Sequence, residues 1–154
     1  MKTRTLIWVI IVLGILLAGF LFIQGTKNKS NKSASVTFEK LDQDLPNRET
    51  MGTIVIRNEK EWMDITGVAS TIDFTKNTAL LMSMGQRMTG GYSIEVKSII
   101  QNGKKLLANV DFVSPGKNCL SIQVITYPQL VVLIPKTNQE VEWKITNTVQ
   151  DCPQ

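Results

Sequence analysis

The sequence predicts a mostly β domain, a sandwich or partly open barrel of seven to eight short strands with one short helix. A single N-terminal transmembrane helix precedes it. Three observations carry this prediction. Apolar residues alternate with polar ones in several short runs. Turn signals recur every eight to twelve residues. One unbroken apolar segment stands alone at the start of the chain.

That segment, Leu6 to Ile23, is eighteen residues without a polar side chain. At about 1.5 Å per residue a helix of this length is roughly 27 Å long, close to the hydrocarbon thickness of a bilayer. Lys2 and Arg4 precede it, as in an export signal. Gln24, Gly25, Thr26 and Lys27 follow it and supply no small-residue cleavage site, so the reading is an uncleaved anchor; the alternative is secretion after cleavage. The short tail places residues 1–5 in the cytoplasm and the rest of the chain outside, a single-pass arrangement in the cell membrane. Residues 24–35 are polar and lysine-rich and read as a solvated tether. Residues 36–154 form one domain, large enough for one core and too small for two.

Along this domain, Val36 to Leu41 is a short alternating run and Met51 to Arg57 a β-branched strand. A helix follows, with Asn58 as cap, Glu61 completing the capping box, Trp62 and Ile65 on one face, and Gly67 as stop. Thr78 to Met84 is an apolar strand. Tyr92, Ile94 and Val96 line one face of the next. Asn102-Gly103 marks a hairpin, and Leu106, Ala108, Val110 and Phe112 line the return strand. The alternation of Leu120, Ile122 and Val124 predicts another strand before the break at Tyr127-Pro128. Leu130 to Ile134 reads as a central strand, and Val141, Trp143 and Ile145 as the inward face of the last.

Composition narrows the function. Of 17 basic residues five lie before residue 36, where there is no acidic one; the remaining twelve face all 13 acidic residues. The domain therefore has no cationic excess for a phosphate backbone, and nucleic acid is not an expected partner. There is no histidine, which removes the commonest general base and metal ligand. No GxSxG, P-loop, HExxH or GxGxxG occurs, so an enzyme is not expected, nor is a cofactor. Met82, Met84 and Met88 resemble soft copper ligands, but alternation alone places Met82 and Met84 in a β core, and no metal site is expected.

Two features remain. Cys119 and Cys152, outside the cytoplasm, form a disulfide candidate, the alternative being two free thiols; the bond would stabilise by roughly 3 to 4 kcal/mol in the chain-entropy account. The segment Gln86, Arg87, Met88, Thr89, Gly90, Gly91, Tyr92 lies between two apolar strands. Its glycines admit close approach by a partner, and Arg87 and Tyr92 are residue types enriched at interfaces, so it is the candidate protein-binding surface. The plainer reading is a glycine-rich hairpin with Tyr92 packed inward.

The run GQRMTGGYSIEV, then Ser114-Pro115-Gly116, Cys119, Gln123, Thr126-Tyr127-Pro128 and VVLIPK, resembles the C-terminal domain of the protease complex subunit PrcB family over roughly residues 72 to 136. Met88 departs from the family's pattern, where proline is expected, and the apolar helix departs from its usual lipid anchor. The resemblance implies a non-catalytic extracytoplasmic subunit that helps assemble or stabilise a secreted protease complex. A second likeness is narrower. Thr89-Gly90-Gly91-Tyr92 is similar to the TTGY-containing loop of chagasin-like protease inhibitors, which implies direct inhibition as the alternative. An envelope or small-ligand binding domain is a third.

Overall fold

The structure, a computed structural model, describes residues 33–152. The expected cytoplasmic tail, the apolar segment 6–23 and tether residues 24–32 lie outside the described residues. Among those described, no helix is long and apolar enough to cross a membrane.

The elements in order are β1 (Ala34–Ser35), β2 (Glu39–Lys40), β3 (Met51–Ile56), α1 (Glu59–Thr66), β4 (Asn77–Met84), β5 (Ser93–Asn102), β6 (Lys105–Pro115), β7 (Gln129–Pro135) and β8 (Glu140–Gln150). They form two four-stranded sheets, β1-β5-β6-β8 and β2-β7-β4-β3. Neither closes on itself, so the architecture is a sandwich and not a barrel. β1 uses the last two residues of the stretch read as tether.

The length predicts one core, but the structure has two clusters, because β4 is buried on both faces. Leu80, Met82 and Met84 point between the sheets, where they meet Ile94, Ile99, Val110 and Phe112. Ala79 and Leu81 point the other way, toward Trp62, Ile56 and Ile72 beneath α1. This is why the strand reads as a continuous apolar run. Its buried polar groups are satisfied: the Thr78 hydroxyl accepts from the Thr137 N–H at 3.1 Å, and Ser83 Oγ accepts from Gly85 N at 3.0 Å. The helix starts as its residues require. Asn58 Oδ1 accepts from Glu61 N at 2.9 Å, and Glu61 reaches back to Arg57 N at 2.7 Å.

Four details differ from expectation. The β5–β6 turn is Gly103-Lys104, since Asn102 pairs with Lys105, and glycine at the first turn position belongs to the II′ type. A bulge between Val96 and Ser98 shifts the register, so Ile94 and Ile99, five residues apart, both face inward. Leu120, Ile122 and Val124 are not a strand. Residues 116–128 form an irregular connection from one sheet to the other, and these side chains face solvent. Their alternation lacks a neighbouring strand: among the described residues the connection meets another segment in ladder fashion only at the isolated Arg87–Thr126 bridge. Ile145, expected inward, is 42% exposed at the sheet edge.

Strands β4, β6 and β8 end, and β5 and β7 begin, at the same end of the sandwich. The segment 86–92 and the connection 116–128 are both carried there.

Candidate functional site

The chain leaves β4 through Gly85, with φ of 71°. A Cβ there would lie 2.7 Å from the Glu49 carbonyl oxygen, so only glycine fits. The next residues are fixed by backbone bonds: Gln86 N donates to Glu49 O at 3.1 Å, while Arg87 and Thr126 exchange both bonds, at 2.8 and 2.9 Å. The Thr126 hydroxyl donates to Thr89 O at 2.9 Å, and Gly90 N donates to Ile122 O at 3.0 Å. Segment 86–92 and connection 116–128 are therefore one surface made from two loops.

The two adjacent glycines serve different ends. Gly91 has φ of 90°, a conformation that side chains disfavour. Gly90 does not; it is buried, and a Cβ on it would come 2.8 Å from Ile122 Cγ1. Tyr92 is half-buried and packs against the inter-sheet core. Arg87 is half-buried too, its guanidinium carbon 5.3 Å from the Tyr92 ring centre, a cation–π contact. Its Nε is buried without a hydrogen-bond partner among the described residues. The side chain is thus held against Tyr92, which limits how fully it presents a donor fork outward. Gln86 and Met88 are exposed, Thr89 half-buried.

The second loop is tied at its start. Cys119 and Cys152 form a disulfide with Cα atoms 5.1 Å apart, and Gly116 N donates to Gln150 O at 2.8 Å. The tie holds the chain beyond β8 against the loop. Beyond Cys119, Leu120 is fully exposed, Ile122 is 69% exposed, and Val124 and Ile125 are close to half exposed. With Met88, 70% exposed on the first loop, five large apolar side chains are on display. A cleft of about 360 Å³ lined by Gly91, Leu120, Ile122 and the disulfide opens beside them. The sequence places Leu120, Ile122 and Val124 in a strand and so points only to the first loop of this surface. The adjacent pair Val124-Ile125 was the available signal, since it breaks the alternation that a half-buried strand requires.

Among the described residues no group of three or more acidic or cysteine side chains is arranged to hold a metal ion. The surface offers apolar contact, backbone edges and a stacked cation, which is the chemistry of recognition.

The two loops and the four strands that hold them are one continuous stretch of family likeness. Residues 78–135 match the PrcB C-terminal family. The match opens on β4 and closes on β7, so it contains every residue of both loops. The matched segment leaves out β1, β2, β3, α1 and β8. No curated protein and no solved structure matches the chain.

Proposed function

We propose that this chain is a non-catalytic, membrane-anchored protein-binding module outside the cytoplasm that docks onto a protein partner through its two-loop surface. The partner in this reading belongs to a secreted or surface protease complex, whose assembly or stability the chain assists. The observation that carries the proposal is the display of Met88, Leu120, Ile122, Val124 and Ile125 on two loops bonded to each other. Large apolar side chains grouped on ordered loops cost solvation and mark binding surfaces. The disulfide fits an oxidising compartment. The family likeness covers this surface and points to a subunit-type domain. Segment 6–23 would supply the anchor.

The test is capture from host membranes with the full chain, wild type against Leu120→Asp with Ile122→Asp. Both side chains are exposed, so the double variant should unfold at nearly the wild-type temperature. Capture of a protease should fall at least tenfold, as for loss of anchor residues. Undiminished capture by the folded double variant refutes the two-loop surface. A captured protease that stays active or gains activity fits the assembly role; one that is silenced fits inhibition of the chagasin-like kind.

A further inference from the structure

A second surface lies away from the loops, on the free edge of β8. Edge strands are ordinarily kept from pairing with other chains by being short, bulged, proline-bearing or covered. The opposite edge of the same sheet follows that rule, since β1 is two residues long, as does β2 in the other sheet. β8 does not. It runs eleven residues, holds unbroken register with β6 throughout, contains no proline, and carries one lysine, Lys144. Among the described residues, none of the backbone groups of Glu140–Val149 bonds to anything beyond that register. Register with β6 sets Val141, Ile145 and Val149 on the inward face, beside the core residues Leu106 and Val110 and half-buried Ser114. Yet Ile145 is 42% and Val149 71% exposed, because nothing described covers that part of the edge.

The strand is complementary to itself. Run antiparallel about Ile145, all eleven residues find partners. Inward, Val141 meets Val149, Trp143 meets Asn147 and Ile145 meets Ile145. Outward, Glu140 meets Gln150, Glu142 meets Thr148, and Lys144 meets Thr146. No like charges oppose each other. Glu140 and Glu142 are also neutralised from their own sheet by Lys105, at 3.4 and 2.6 Å. Centring on Trp143 brings Glu142 to Lys144 and Val141 to Ile145 but pairs only seven residues and leaves Asn147 to Gln150 without strand partners, and other registers have costs of their own. An odd offset would set inward residues against outward ones. Centring on Lys144 sets that cation against its own copy, and centring on Thr146 separates both aliphatic pairs and leaves Glu140 and Val141 without partners.

We propose that β8 pairs antiparallel with β8 of a second copy of this chain, centred on Ile145. The two four-stranded sheets then become one eight-stranded sheet across a twofold axis. The pairing leaves the two-loop surface on each copy free and does not depend on what that surface binds.

Full-length protein in detergent micelles tests it by cysteine trapping. Ile145→Cys faces itself across the axis and should give a covalent dimer under mild oxidation, with peptide mapping to show Cys119–Cys152 intact. Glu142→Cys and Thr148→Cys each lie about 20 Å from their own copies, six residues along the strand, so neither should link alone. Mixed, they should form the heterodimer. Ile145→Lys should abolish the wild-type dimer seen by sedimentation. The proposal is overturned if wild type sediments as a monomer throughout, if the mixture fails to link, or if Glu142→Cys links to itself. A monomer whose β8 instead holds a strand of another protein, released by Ile145→Lys, would also overturn self-pairing.

Discussion

Replacing Cys119 and Cys152 together by serine removes the covalent tie that closes a 33-residue loop. In the chain-entropy account a closure of this length stabilises the folded state by about 3.7 kcal/mol at room temperature. For a domain of this size that converts to a fall in Tm of about 12 to 15 °C. Weak backbone bonds remain at the same place, Gly116 to Gln150 and Gly90 to Ile122 among them, each worth about 1 kcal/mol net. They are too few to hide the loss. Because the cross-link fixes the start of the second loop, the doubly substituted protein should also lose partner capture before it loses its sheets. Urea titration by far-UV circular dichroism on the full chain, with and without a reductant, measures the first effect. A loss below about 1 kcal/mol would show that the cross-link constrains little in the unfolded chain, and would refute this account of it.

Other outcomes follow from the packing. Trp62→Ala should cost about 3 to 5 kcal/mol, since the indole is fully buried beneath β3 and β4; Trp62→Phe should cost far less, because the buried indole N–H has no partner to lose, and comparative urea midpoints separate the two. Alanine at the loop glycines should rank by what its Cβ meets. Gly85→Ala should cost about 2 kcal/mol or more against the Glu49 backbone, Gly91→Ala about 1 to 2 for its positive φ, and Gly90→Ala about 1 or less, because the Ile122 side chain it meets is exposed and can turn away; thermal melts that reverse this order would contradict the packing. The Asp73 carboxyl is held at about 2 by the Thr75 hydroxyl first, then Lys76 and the Thr75 N–H. A depressed folded value means that its contribution is complete above the ordinary carboxylate range and is lost as pH falls through about 2; a carbon-13 titration with midpoint near 4 would show the turn to be open in solution.

The six longer strands, the helix and its cap were legible because each is written locally, whereas the run Val36 to Leu41 is not one strand but leaves two-residue β1 of one sheet and contains two-residue β2 of the other. Alternation, β-branching and the Asn58–Glu61 pair act within a few residues, and burial then selects the face. The cysteine pairing was legible because only two cysteines exist to pair. What escaped was non-local. Periodicity assigns a face to a strand but names no neighbour, so the parallel pairing of β6 with β8 left no mark in either sequence. The same limit hid the second loop of the candidate surface. Leu120, Ile122 and Val124 have the pattern of a half-buried strand, and only the folded chain shows that no strand of either sheet pairs with them. Tyr92 was readable as inward, but the Arg87 guanidinium over its ring was not, since stacking depends on how the loop folds back.

The parallel pairing of β6 and β8 has a consequence for how the chain comes to exist. A polypeptide emerges from its N-terminal end, and β8 is the last strand to appear, after β7 has been laid into the other sheet. Until residues 140–150 arrive, β6 has an open flank of eleven residues with Leu106, Ala108, Val110 and Phe112 behind it. Pairs so distant in sequence close slowly, and an open flank invites wrong partners meanwhile. Cys119 waits as a free thiol through the same interval, because its partner follows β8. Covalent closure and completion of the sheet therefore arrive together, which makes the appearance of the cross-link a clock for the folding of newly made chains.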